Sequence, residues 1–133
     1  MQPDYNPKDL AAFRIHQANE CLKDATLEAN SLKTRANRSY YCIFNAMRAV
    51  LALDRFDSKK HSGIISAFRK DYIKTNIFPT NFSDIIEDAF VVRNESDYED
   101  FYIVSKGKVT AQVENAKIFL EAVEKYIGER IKI

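Results

Sequence analysis

The stretch TRANRSYYCIFNAMRAVLAL, residues 34–53, decides the fold class. Its apolar residues Ala36, Tyr40, Ile43, Met47 and Val50 recur every three or four positions, with Phe44 and Leu51 beside them. That spacing puts them on one face of an α-helix, whereas a half-buried strand would alternate. The same period continues in both directions. Toward the N-terminus, Ala11, Ile15, Ala18, Leu22, Ala25 and Ala29 form a stripe whose small side chains let a neighbouring helix approach closely. Asn6 is placed to cap that helix, with Pro7 at its first position, where proline loses no hydrogen bond. Toward the C-terminus, Asp54 to Lys60 reads as a polar loop. Ser58 is expected to cap a third helix reaching about Thr75, with His61, Ile65, Phe68 and Tyr72 in one row and Ile64 beside it. Pro79 breaks the pattern. A fourth helix starts near Asn81 and carries Phe82, Ile86, Ala89 and then Arg93. Residues 95–106 show no clean period. The last helix carries Val109, Val113, Ala116, Leu120, Val123 and Ile127, with Gly128 as its expected stop. Successive amphipathic helices with short connections predict an all-α fold, an antiparallel up-and-down four-helix bundle with an additional shorter helix. Residues 1–133 are expected to form a single domain.

Composition narrows the function. The chain has 133 residues, a formal net charge of +1, three glycines, three prolines and no tryptophan. So few turn residues exclude an all-β architecture. A protein that grips nucleic acid by bulk charge is clearly basic, so any such site here must be local. Cys21 and Cys42 match no zinc or redox spacing and are expected to be free buried thiols in a reducing compartment. The first ten residues lack the apolar run of a signal peptide, and no window approaches the ~20 apolar residues of a membrane span. A cytoplasmic location without membrane contact is therefore expected. There is no glycine-rich phosphate loop, no nucleophile elbow and no paired-cysteine zinc site. The two histidines, His16 and His61, cannot build a di-iron bundle site. No metal and no cofactor are expected.

Three features could carry chemistry. Arg93 falls on the row of Phe82, Ile86 and Ala89, where an apolar residue belongs, and arginine is rarely buried unpaired. Asp97 lies one helical turn later and can pair with it, and Tyr98 falls near the same face. This is either a structural ion pair closing a helix or a functional site. His61 opens the third helix on its inward row, at the end that should meet the finish of the fourth helix and so Arg93. An imidazole there could act as acid, base or phosphate contact, or simply be a hydrogen-bonded core residue. His16 lies off its helix's stripe and is expected in solvent. Arg38, Tyr41, Asn45 and Arg48 repeat at three, four and three along the second helix. They read as a solvated face or as a groove suited to phosphate and a base. Charge is also segregated. Residues 55–74 hold six basic and two acidic side chains, and residues 84–100 hold seven acidic and one basic. Such patches can align subunits, attract a partner or cancel within the bundle.

The segments Arg38-Ser39-Tyr40-Tyr41 with Phe44 and Ala46, Lys60-His61-Ser62-Gly63, and Arg93 to Tyr98 together resemble the HEPN family of small helical bundles. The resemblance is closest to its short single-domain bacterial and archaeal subgroup, and covers roughly residues 10–127. It implies a helical bundle that is usually a homodimer. Many members are metal-independent ribonucleases acting as toxins or defence effectors through an Arg-x4-6-His motif, in which arginine and histidine help the RNA 2′-hydroxyl attack the adjacent phosphate. Others work with a minimal nucleotidyltransferase, which in some pairs attaches AMP to a tyrosine beside the motif. Arg93 matches the motif arginine and Asn94 the polar residue after it. Tyr98 stands where the simplest spacing requires histidine, and no histidine follows Arg93. A tyrosine of ordinary pKa, near 10, is a poor base at neutral pH. His61 would have to supply the imidazole from another helix.

The resemblance implies a toxin–antitoxin or stress module in which Arg93, Asp97, Tyr98 and His61 form the centre. Arg38, Tyr41 and Asn94 would contact nucleotide or RNA, and Tyr98 or Tyr102 would accept modification. The alternatives are an active metal-independent endoribonuclease and a purely structural dimerisation module.

Overall fold

A computed structural model describes residues 5–98 and 103–132. The helical periods become α1 (Pro7–Thr26), α2 (Leu32–Leu53), α3 (His61–Phe68), α4 (Phe82–Tyr98) and α5 (Lys106–Arg130). A π-helical turn, Arg69–Ile73, continues α3. Side-chain contacts fix the relative directions. Arg14 in α1 bonds the Arg48 carbonyl of α2, and Arg35 bonds the Ala25 carbonyl, so α1 and α2 are antiparallel. Asn37 meets Asp97 and Tyr41 meets Arg93, so α4 also runs against α2. Gln112 bonds Ser39 near the start of both helices, while Arg130 pairs with Asp54 at their ends, so α5 runs with α2. The four long helices therefore go up, down, up and down, as expected. The short α3 runs with α2, because the loop over residues 54–60 returns the chain to mid-helix before α3 begins.

α2 is the central element. Ala36, Tyr40, Ile43, Met47 and Val50 are all at most 1% exposed, and so are Cys42, Ala46, Ala49 and Leu51 on its other faces. Burial on nearly every side marks a helix surrounded by others. Ala11, Ala18 and Ala25 of α1 are also at most 1% exposed, and Phe68, Phe82 and Phe119 pack from α3, α4 and α5.

Several boundaries differ from expectation. Ala29 lies past the end of α1 and is exposed. Arg35, pointing its Nε at the Ala25 carbonyl 2.8 Å away, occupies the end of α1 instead. α2 starts at Leu32, two residues early, because the Ser31 hydroxyl accepts from the Thr34 N–H. Ser58 does not cap α3. The cap position is Lys60, without a side-chain cap bond, and the Ser58 hydroxyl accepts from the Lys60 N–H at 3.2 Å. The third helix is not one α-helix to Thr75. It widens after Phe68, with Lys74 N–H bonded to the Arg69 carbonyl at 2.9 Å, and both Tyr72 and Ile73 turn inward. Gly128 does not end α5, whose last turn is held by Arg130 on Asp54 and Tyr72. Cys21 and Cys42 are free and buried, and His16 is exposed with Glu20 3.7 Å away. No helix among the described residues is long and apolar enough to cross a membrane.

Candidate functional site

Two adjacent tyrosines of α2 form the floor of the site. Tyr40 is 1% exposed, and Tyr41 is half-buried beside it with their rings 5.1 Å apart edge to face. α4 delivers Arg93 onto this pair. Its guanidinium carbon lies 5.4 Å from the Tyr40 ring centre and 5.5 Å from that of Tyr41, and its Nη2 donates to the Tyr41 hydroxyl at 3.0 Å. Asp97, one turn on, places a carboxylate oxygen 3.2 Å from Arg93 Nε. The same oxygen accepts from Asn37 Nδ2 at 2.9 Å. Asn37 also accepts from Arg38 Nε at 3.0 Å, and the Arg38 guanidinium covers the Tyr41 ring at 5.3 Å. Arginine stacks on aromatic faces and is weakly hydrated, so this arrangement holds two cations in a partly buried place.

α3 delivers His61 to the other side of Tyr40. Its Nδ1 is 2.8 Å from the Tyr40 hydroxyl, and its ring stacks on Phe44 with centroids 4.1 Å apart. Burial first, and then the charges of Arg93 and Arg48, hold His61 below the ordinary histidine range. It is therefore neutral at pH 7. Burial pushes the Tyr40 hydroxyl up to about 12, against the pull of Arg93. Tyr40 thus stays protonated and can donate to or accept from the imidazole.

Arg93, Asp97 and His61 converge, then, on one patch of α2, with Arg38 and Tyr41 at its edge. Asn94 is exposed on α4. The Tyr98 side chain and all of Tyr102 lie outside the described residues. Asn45 and Arg48, the rest of the α2 stripe, are half-buried rather than solvated. Asn45 Nδ2 lies 3.9 Å from Cys21 Sγ, and Arg48 reaches Asp57. Sequence reasoning missed Asn37 and Tyr40 as site residues. By its spacing Tyr40 reads as core, and its ring is buried, but its hydroxyl meets His61. Asn37 could have been found, since it precedes Tyr41 by one turn on the same face. One residue from each charge patch pairs at the surface, Arg69 with Glu87, 3.3 Å apart. Among the described residues no group of three or more His, Cys, Asp or Glu could hold a metal ion.

The HEPN domain family model matches residues 10–126. A "UPF0332 protein" of Thermotoga maritima is 31% identical over 115 residues, 85% of this chain and 87% of that protein. "Putative toxin MJ0142" of Methanocaldococcus jannaschii is 31% identical over 91 residues, 68% of this chain and 62% of its own length. "Putative toxin MJ0605" of the same organism is 23% identical over 122 residues, 92% of this chain and 83% of that protein.

Proposed function

The chain belongs to the HEPN domain family, and from that premise we propose that it is a toxin-type HEPN protein that binds RNA or nucleotide at the Arg93–His61 centre. It acts as a cytoplasmic homodimer in a stress or defence module and works with a minimal nucleotidyltransferase. The observation that carries the reading is the delivery of Arg93 and His61, from two different helices, onto Tyr40 and Tyr41. Buried pairs of this kind serve structure or function alike, but here a cation, a neutral imidazole and an edge-to-face tyrosine pair meet. Arginine holds phosphate, Asp97 orients the arginine, and Arg38 and Tyr41 offer a planar cation and a ring to a base. Asn94 adds an exposed amide. Tyr98 or Tyr102 is the acceptor for AMP, and two relatives that carry the name "putative toxin" support the toxin-type reading.

One observation favours ribonuclease activity as a second reading. His61 is neutral and anchored through Nδ1 by Tyr40. When Nδ1 donates to the Tyr40 oxygen, Nε2 has a lone pair to take the 2′-hydroxyl proton as that oxygen attacks phosphorus. The bond to the 5′-oxygen then breaks, that oxygen leaves with a proton taken from water, the imidazolium returns its proton to solvent, and a 2′,3′-cyclic phosphate remains.

The test is cleavage of RNA in EDTA by wild type, Arg93→Ala, Arg93→Lys and His61→Ala, with RNA and nucleotide binding measured on the same preparations. Binding without cleavage, lost in Arg93→Ala and partly kept in Arg93→Lys, is the expected result. Cleavage lost in both Arg93→Ala and His61→Ala would make the chain itself the nuclease. Wild-type binding to neither RNA nor nucleotide, with Arg93→Ala altering only the melting temperature, would leave a dimerisation module and refute the proposal.

A further inference from the structure

Beside His61, on the side away from Arg93's carboxylate partner, opens a cleft of about 480 Å³ lined by Phe44, Arg48, Asp57, Ser58, Lys59 and His61. Arg14, whose side chain is 7% exposed, stands behind it. One Nη of Arg14 donates to the Arg48 carbonyl at 3.0 Å, and the other lies 3.2 Å from Asp57. Arg48 shares the same carboxylate through longer contacts of 3.4 and 3.5 Å. Arg48, Lys59 and the underlying Arg14, set against the one carboxylate of Asp57, give the cleft a local formal charge of +2 beside a neutral histidine. The excess is felt locally: burial and the charge of Arg48 both lower the pKa of Arg14.

The loop that makes the cleft is preorganised. Asp57 accepts from the Ser58 N–H at 2.8 Å, and Ser58 is pressed so closely on Gly63 that a Cβ there would come within 2.3 Å of its hydroxyl. α3 begins at this loop with no side-chain cap, so the positive end of the helix adds to the field. His61 also lines a second groove, of about 650 Å³, with Ile65, Phe90, Arg69, Lys70 and Glu87. It has room for a nucleoside joined to whatever anion occupies the cleft.

We infer that the Arg48–Lys59–His61 cleft is a subsite for a terminal phosphate monoester, carried by a free mononucleotide or by the phosphorylated end of an RNA strand. A dianionic monoester matches the local excess of +2, whereas an internal phosphodiester brings one negative charge. Arg14 and Asp57 are positioning residues that hold Arg48 and the loop. The inference rests on the nucleotide-binding reading of the site, because His61 lines both.

Two pairs of probes test it by equilibrium binding: AMP against adenosine, and one RNA oligonucleotide with a 5′-phosphate against the same strand with a 5′-hydroxyl. Wild type is expected to prefer the phosphorylated member of a pair by about tenfold. Lys59→Gln, at an exposed position, and Arg48→Gln should abolish that preference. Preference in the AMP pair alone assigns the subsite to mononucleotides, and in the RNA pair alone to strand ends. Equal binding within both pairs, or a preference that survives in both Lys59→Gln and Arg48→Gln, overturns the inference. RNA binding without any end preference would leave the wider functional reading standing. A preference for AMP with no RNA binding would sustain the subsite and remove RNA from that reading.

Discussion

His61 is held below the ordinary histidine range by burial and by two arginines, and this couples folding to pH. The unfolded chain takes up a proton near pH 6.5, while the folded chain resists it until a lower pH. Between those values the unfolded state binds more protons, so stability rises as pH rises through the window. Above about 6.5 the penalty is gone. Chemical denaturation of wild type between pH 5 and 7 should show this slope, and His61→Asn should flatten it. An NMR titration placing His61 above 6.5 would contradict the stated cause, because a net-attractive environment would then be required. Arg93 is the complementary case. Its carboxylate partner also accepts from Asn37, so Arg93→Ala leaves Asp97 a neutral partner and should cost on the order of 2 kcal/mol, between exposed and buried pairs.

At the scale of elements, the start of α3 is set by a steric fit. Gly63 lies in the first turn of α3, where helix propensity favours alanine by up to about 1 kcal/mol. Here an added methyl would meet Ser58 Oγ at 2.3 Å and Ser58 Cβ at 2.9 Å. Gly63→Ala should therefore destabilise wild type, although helix propensity alone predicts the opposite. In a Ser58→Gly background the same change should become neutral or stabilising, with a coupling of about 1 kcal/mol in the double-mutant cycle. Equal effects in both backgrounds would mean that the loop moves aside freely and does not preorganise the cleft. The π-helical turn after α3 is a second element whose shape is dictated from outside. Tyr72 there bonds Asp54 at the end of α2 and receives a hydrogen bond from Arg130 of α5 at 2.7 Å. α2 and α5 are joined again at their starts, where Gln112 donates to Ser39 at 2.7 Å and to the Ala36 carbonyl at 3.1 Å.

For the whole molecule, the four long helices share one core, so a single buried charge should be felt everywhere. Leu120 is 1% exposed and packs within the main apolar cluster. Leu120→Asp should abolish cooperative melting, because an unpaired buried carboxylate costs several kcal/mol against a domain stability of about 5–15. Leu120→Met should fold with a loss below about 1.5 kcal/mol, since volume and polarity are kept. If Leu120→Asp melted like wild type, the assignment of α5's inner face would be wrong. The same closeness of packing accounts for the alanines of α1. Ala11, Ala18 and Ala25 let α2 approach until backbone carbonyls of each helix receive arginines from the other.

What the amino-acid order determined by itself was the helical class, the apolar faces and the pairing of Arg93 with Asp97. These are short-range properties, readable because residues three and four apart share a helix face. The inward row of α3 was readable for the same reason, and with it the approach of His61 to the fourth helix. Tertiary structure alone decided that the 54–60 loop would bring α3 back to mid-α2, so that His61 meets the Tyr40 hydroxyl. It alone placed Arg14, Arg48 and Asp57 in one cluster, across 43 residues of chain. It also turned Arg14 and Arg35, which look like surface residues by periodicity, into buried donors to carbonyls of the facing helix. Periodicity reports which side of a helix avoids water. Where two such helices cross, and which buried polar groups must then find partners, depends on loop path and close packing, and no local pattern records that.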